Sequence, residues 1–133
     1  EDRVIEIRAY DTVYGVWKYF TVWEEQMNLE RESYCLIGTL EAWNAMCQYF
    51  GREKMIPVYI EVEDGTRLIR AVERERTQEH PGYEELCRRF LADAKDFSEE
   101  NLKNAGITRR FENKDMNACL EEIKLFIQKA ILI

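Results

Sequence analysis

Apolar and polar positions form separate blocks along the chain, and the clearest apolar block is residues 56–62. This run is almost wholly apolar and rich in β-branched and aromatic side chains. Such a composition is typical of a strand buried on both faces, as in parallel sheets. Asp64 ends the run and is a good N-cap for a helix that buries Leu68, Ala71 and Val72. The pattern therefore predicts a buried strand followed by an amphipathic helix.

A polar break at residues 77–82 separates that helix from a second one. Elsewhere the hydrophobic pattern predicts strands at residues 4–7, 16–23, 34–37 and 107–111, and helices at residues 40–50, 98–104 and 115–130. Gly51 is expected to end its helix as the C′ residue. The first two strands are expected to pair antiparallel as a small β excursion, followed by a polar surface connector at residues 24–33.

Strands and helices alternate after residue 33, which predicts a parallel α/β sheet with right-handed crossovers. Three strands, at residues 34–37, 56–62 and 107–111, make a thin sheet for segments that are so apolar. The chain also starts at Glu1, without an initiator methionine and directly before a strand. We therefore expect a single domain that begins part-way through its fold.

The composition limits the class of partner. A chain of 133 residues with 46% hydrophobic side chains is long enough for a real core and is not expected to be disordered. The formal charge of −7 argues against a nucleic-acid polymer, because binding its backbone needs a positive surface. A mononucleotide needs only a local pocket of arginines and is compatible with this charge.

The cysteines and the single histidine are not spaced like metal ligands. They are Cys35, Cys47, Cys87, Cys119 and His80, with no CxxC pair among them. A structural zinc site is therefore not expected. Scattered cysteines are typical of a reducing cytosol, and we find neither a signal peptide nor an apolar run that could span a bilayer. We expect a cytoplasmic protein without a membrane partner.

Arginines line both helices around the polar break. Arg67, Arg70 and Arg74 share one helix face, since they are three and four residues apart. Arg88 and Arg89 follow on the second helix. Two arginine-lined helices joined by a polar hinge predict a lid that closes over a polyphosphate. The alternative is that these arginines are ordinary solvated charges, paired with nearby acidic residues.

Taken together, these residues resemble the guanylate kinase family over essentially the whole chain after the family's first third. Val4-Ile5-Glu6 with Tyr14-Gly15 downstream resembles the family's GMP-binding β segment. The resemblance implies an α/β fold of the P-loop NTPase type, a three-layer parallel sheet. It assigns residues 1–33 to the acceptor-binding segment, 34–63 and 98–133 to the core, and 64–97 to the helical lid.

The resemblance implies roles for individual residues. Glu6 would read the base and Tyr14 would touch the monophosphate, because a carboxylate accepts from two adjacent N–H donors on guanine. From the residues alone, Glu6 reads equally well as a solvent-facing strand residue. Arg70, Arg74 and either Arg88 or Arg89 match the phosphate-clamping arginines, with Arg89 preferred because Phe90-Leu91-Ala92 follows it.

Asn113 resembles the family's asparagine near the adenine of ATP, although it could equally cap the following helix. Three departures stand beside these matches. The family's GxxxxGK[ST] loop is absent from these residues. Val16 replaces a hydroxyl residue that helps to read guanine. Gly38 and Leu40 replace acidic residues, so that Glu41 is the nearest acid that could substitute.

Two functional hypotheses follow. The first is a guanylate-kinase-like nucleoside monophosphate kinase that transfers a phosphoryl group from ATP to GMP or a related nucleotide with Mg²⁺, and that is incomplete without the P-loop segment. The second is a non-catalytic guanylate-kinase-like module that binds nucleotide or protein. In the family the strand before the P-loop lies between the counterparts of residues 34–37 and 56–62. Without it two strand edges stay unpaired, which predicts segment exchange or a homodimer.

Overall fold

The structure, a computed structural model, describes residues 3–131. The chain divides into two compact units, Glu1–Met55 and Ile56–Ile133. The first contains β1 (Val4–Thr12), β2 (Gly15–Val22), α1 (Leu40–Phe50) and a 3₁₀ turn (Arg52–Lys54). The second contains β3 (Tyr59–Glu61), α2 (Asp64–Arg76), α3 (Tyr83–Asp96), α4 (Glu99–Asn104), β4 (Arg110–Glu112) and α5 (Met116–Ile131).

The first unit is built on an antiparallel hairpin, as predicted. The pairing of β1 with β2 runs from Val4 opposite Val22 to Thr12 opposite Gly15. The first strand is longer than predicted, because its pairing continues up to a two-residue turn. Gly15 follows this turn at φ 107°, a backbone conformation that residues with a side chain rarely adopt. The hairpin therefore presents two long rows of side chains, one on each face.

Helix α1 has the predicted bounds, and its ends are fixed by its own residues. The Thr39 hydroxyl accepts a hydrogen bond from the Ala42 N–H, which caps the first turn. Gly51 ends the helix at φ 94°, where its N–H donates to the Cys47 carbonyl.

The strand predicted at residues 34–37 is wrong, because this segment has no regular structure. Its side chains are not buried on two faces as the prediction requires. Leu36 is 54% exposed and Ile37 is fully exposed. An apolar run becomes a strand only when a neighbouring strand takes up its backbone groups, and residues 3–131 contain no such neighbour for it.

The second unit contains a parallel pair of strands. Tyr59 lies opposite Arg110 and Glu61 opposite Glu112, and the Asn113 N–H extends the pairing by donating to the Glu61 carbonyl. Among residues 3–131 the parallel sheet thus has two strands, and both are shorter than predicted. Since successive residues direct their backbone groups to opposite sides, those of Ile60 face away from β4. This edge of β3 is free within the described chain.

The core of the second unit lies between the sheet and the helices that follow it. Its fully buried side chains are Leu102 and Phe111, and Phe111 meets Phe126 of α5 with ring centroids 5.2 Å apart. Helix α2 contributes less than predicted, since none of its residues is buried and Leu68 is 36% exposed. Its N-cap is Glu63 rather than Asp64, because the Glu63 carboxylate accepts from the N–H groups of the first turn.

Across residues 3–131, no helix combines the length and the apolar character that crossing a bilayer requires.

Candidate functional site

The predicted base-reading residue Glu6 lies in a closed polar network on one face of the hairpin. Its carboxylate Oε1 accepts from the Thr21 hydroxyl at 2.6 Å and from Arg8 Nη2 at 3.2 Å, and Oε2 accepts from Arg8 Nε at 2.8 Å. Only 4% of the Glu6 side chain is exposed. Glu6 is thus a buried, paired carboxylate, and the interpretation of it as a solvent-facing strand residue is wrong.

Arg8 connects this network to α1. Its Nη1 donates to the Thr39 hydroxyl at 3.0 Å, and the same hydroxyl caps the helix. Burial by itself lowers the pKa of Arg8, but hydrogen bonds to Glu6 and Tyr10 outweigh burial and raise it. Arg8 is consequently held as a cation in a fixed geometry that joins β1, β2 and α1.

An aromatic surface continues from the network along the same face. Tyr10 and Tyr19 meet edge to face with ring centroids 5.8 Å apart, and the Arg8 guanidinium lies 6.0 Å from the Tyr19 ring centroid. Trp17 pairs opposite Tyr10 and is 49% exposed. Flat, half-exposed rings of this kind offer stacking surfaces for a nucleobase.

Tyr14 lies in the hairpin turn, where it stacks on Trp17 with ring centroids 6.4 Å apart and is 64% exposed. Glu6 lies at the other end of the hairpin. The seven residues of extended strand from Glu6 to Thr12 make six steps and span about 20 Å. The two residues predicted to hold one acceptor nucleotide are therefore on the same hairpin but far apart.

Glu41 lies in the first turn of α1, two residues after the Thr39 cap, and is exposed. Within residues 3–131 its carboxylate takes part in no ion pair or side-chain hydrogen bond. Of the two acids predicted to contact the acceptor, Glu41 is thus the one that is open to solvent.

The second unit brings together two predicted residues that are far apart in sequence. Arg70 of α2 donates from Nη1 to the Asn113 carbonyl at 3.0 Å and from Nη2 to the Lys114 carbonyl at 3.1 Å. These bonds tie the predicted lid helix to the loop between β4 and α5. Both terminal nitrogens of the Arg70 guanidinium are therefore engaged by this loop.

Arg74 and Arg89 are less constrained. Arg74 lies one turn after Arg70 on the same helix face, is exposed, and pairs with no acid within residues 3–131. Arg89 is 59% exposed and approaches Glu85 only to 4.0 Å, whereas Arg88 holds the same carboxylate at 2.7 Å. Of the two neighbouring arginines, Arg89 is therefore the freer to meet an anion.

The Asn113 side chain does not cap α5. The Asp115 carboxylate accepts from the Ala118 N–H at 2.8 Å and supplies the cap instead, so the capping interpretation of Asn113 is wrong. Asn113 Oδ1 is buried and accepts no hydrogen bond from residues 3–131. Nearly all buried polar side-chain atoms are hydrogen-bonded, so this oxygen is an exception within the described residues.

The described residues do not form a metal site made of protein ligands alone. Among residues 3–131 no group of three or more His, Cys, Asp or Glu side chains is placed to bind one. Mg²⁺ that is held by nucleotide phosphates, water and one or two carboxylates does not need such a group.

An open cleft of about 550 Å³ lies beside α4, apart from the predicted residues. It is lined by Glu99, Glu100, Lys103, Ile107, Thr108 and Arg110. Arg110 pairs across it with Glu99 and also with Glu61 of β3, and these hydrogen bonds raise the pKa of Arg110. The cleft wall is a structural ion cluster that joins α4 to the sheet.

Sequence reasoning missed Arg8, Thr21 and Thr39 as members of the hairpin network. One signal was available, because residues two apart on a strand share a face and Glu6 is two residues from Arg8. Thr21 lies opposite Glu6 in the hairpin, whose register was not predicted, and Thr39 meets the network only through tertiary folding.

Comparison with known proteins gives no relative. No family model, curated protein or solved structure matches this chain.

Proposed function

We propose that the chain is the acceptor-binding, lid and C-terminal part of a guanylate-kinase-like nucleoside monophosphate kinase of the P-loop NTPase type. The reaction is phosphoryl transfer from ATP to GMP or a related nucleoside monophosphate, with Mg²⁺ supplied alongside ATP. The donor phosphates need the GxxxxGK[ST] loop, which these residues do not contain. The chain on its own therefore binds nucleotide and does not turn it over.

The observation that carries this proposal is the contact between Arg70 and the loop of Asn113, 43 residues further along the chain. Arg70 and Asn113 come from separate stretches of the sequence, both are predicted to contact the same nucleotide, and they are in contact in the second unit. The exposed Arg74 follows on the same helix face, and the unpartnered Asn113 Oδ1 lies in the contacted loop. Positive charge beside an amide acceptor suits a nucleoside polyphosphate, whose phosphates are anionic and whose base carries N–H donors.

The free edge of β3 also supports the proposal. The resemblance expects one more strand beside β3, and the backbone groups of Ile60 point toward that side without a partner in the described chain. We further propose a cytoplasmic location, since all four cysteines are free thiols. A homodimer through the open edge stays a prediction.

The buried state of Glu6 favours the second candidate, a non-catalytic guanylate-kinase-like module. A carboxylate that accepts three intramolecular hydrogen bonds has little capacity left for a base. A module that binds protein, however, has no use for exposed arginines aligned on a lid helix. Nucleotide binding tests the lid assignment, and turnover separates the two candidates.

The first test is calorimetry of the 133-residue chain with GMP and with a non-hydrolysable ATP analogue. Arg74→Ala and Arg89→Ala each remove one charged donor, which should weaken the ATP analogue about tenfold. Arg76→Ala is the matched control, because Arg76 is an exposed arginine of α2 outside the predicted set. Equal affinities in all four proteins would remove the lid assignment.

The second test addresses catalysis. A segment bearing a GxxxxGK[ST] loop is joined ahead of Glu1, and ADP release is measured with GMP, AMP and UMP as acceptors. The kinase proposal expects release that depends on both the acceptor and Arg74. No release with any acceptor, while the calorimetric binding persists, would favour the non-catalytic module.

A further inference from the structure

The carboxylate of Glu6 is bonded mainly to groups of the chain itself. A carboxylate offers about four lone-pair positions, and Thr21 and Arg8 fill three of them. With 4% of the side chain exposed, the last position does not face open solvent. A ligand would have to displace Arg8 to reach Glu6.

Displacing Arg8 is unfavourable, because Arg8 is itself held from several sides. It is 13% exposed at the side chain, donates to the Thr39 hydroxyl and to Glu6, and lies near the Tyr19 ring. Moving it would leave a buried cation and a buried carboxylate without partners, which costs more than a single base contact returns.

Guanine recognition by a carboxylate needs both oxygens free to accept from N1–H and the 2-amino group. Adenine presents an acceptor and one amino group at the corresponding edge, so a free carboxylate rejects it. A carboxylate already paired with arginine makes neither distinction. What remains accessible on this face is the row of half-exposed rings that includes Trp17 and Tyr19, 49% and 45% exposed, and stacking on such rings tolerates any base.

We propose that Arg8 is a specificity-determining residue, which withdraws Glu6 from the acceptor site so that the site binds nucleoside monophosphates by stacking, without selecting guanine over adenine. This inference rests on the proposed function, since it concerns the base preference of the same acceptor site.

The test compares the Kd of GMP with that of AMP for the wild-type chain and for Glu6→Gln, with binding measured by tryptophan fluorescence. All three tryptophans, Trp17, Trp23 and Trp43, lie in the unit that carries the hairpin. We expect the two nucleotides to bind within about threefold of each other, because stacking is tolerant of the base. Glu6→Gln is isosteric and should leave that ratio unchanged, even if it lowers both affinities.

Arg8→Gln provides the converse test, because it removes the cation and frees a Glu6 oxygen. The ratio should then shift toward GMP by about tenfold, the usual value of one bidentate base contact. Arg8→Lys keeps the positive charge but cannot reach both Glu6 oxygens as the guanidinium does, so we expect a smaller shift in the same direction. If Arg8→Gln fails to fold, the wild-type and Glu6→Gln ratios decide the question alone.

A wild-type chain that prefers GMP by about a hundredfold and loses this preference in Glu6→Gln would overturn the inference while leaving the proposed function intact. If neither the wild-type chain nor the Arg8 variants bind any mononucleotide, the proposed function fails and takes this inference with it.

Discussion

Replacing Arg70 by alanine should loosen the loop between β4 and α5 without unfolding the protein. Arg70 makes two hydrogen bonds to this loop, at 3.0 and 3.1 Å, to the carbonyls of Asn113 and Lys114. A charged donor bonded to a buried carbonyl contributes about 1.5–3 kcal/mol. Arg70 is exposed, and competition from water reduces the two bonds together to about 1 kcal/mol.

A loss of this size multiplies the equilibrium constant for local opening of the loop by about five. Amide hydrogen exchange measures that opening directly. Three amides report on it, those of Asn113, Ala118 and Cys119, which are bonded to Glu61, to the Asp115 side chain and to the Asp115 carbonyl. Each should exchange about fivefold faster in Arg70→Ala, while amides in the middle of α3 keep their wild-type rates.

Two further variants identify the cause. Arg70→Lys keeps the charge but lacks the planar fork that reaches two carbonyls, so its loop should also exchange faster. Arg74→Ala removes an exposed arginine one turn away and should leave loop exchange unchanged. If Arg70→Ala leaves the three amides protected, or if Arg74→Ala accelerates them equally, Arg70 does not position the loop.

Two other outcomes follow from the second unit. Phe111 is fully buried and packs against Phe126, so Phe111→Ala should lower the free energy of unfolding by about 3–5 kcal/mol, measured by circular dichroism at 222 nm. Phe20 is 64% exposed, so the control variant Phe20→Ala should change this free energy by less than about 0.5 kcal/mol. Glu63 has a pKa below its usual 4.5, because its carboxylate accepts from the Gly65 and Thr66 backbone N–H groups and the Thr66 hydroxyl. Because the pKa is lowered in the folded state, this stabilisation is complete above pH 4.5 and is lost as the pH falls through the folded-state pKa. Glu63→Gln should therefore make the loss of stability at acid pH less steep. A loss as steep as that of the wild type would contradict this reasoning.

Short-range features of the fold were predictable because the groups that stabilise them are close in sequence. Helix α1 begins after Thr39 and ends before Gly51, as its cap residues indicate. Ser98 likewise caps the short helix α4, where it accepts from the Asn101 N–H. The antiparallel hairpin belongs to the same class, since its two strands are joined by a two-residue turn.

Strands without a sequence neighbour were predicted less well. Residues 34–37 and residues 56–62 have similar apolar compositions, but only the second segment meets another strand. The difference lies in β4, which begins about 50 residues later and supplies the backbone partners that β3 needs. An apolar composition indicates that a segment tends to be buried, but it does not indicate whether a partner strand exists.

The candidate site divides in the same way. The sequence alone determined which helices carry arginine and which strand carries Glu6, because helix periodicity and strand alternation are properties of neighbouring residues. Tertiary structure decided what those side chains do. Arg8, Thr21 and Thr39 close around Glu6, and Arg70 reaches a loop more than 40 residues away, because a hydrogen bond forms wherever folding brings a donor to an acceptor at bonding distance.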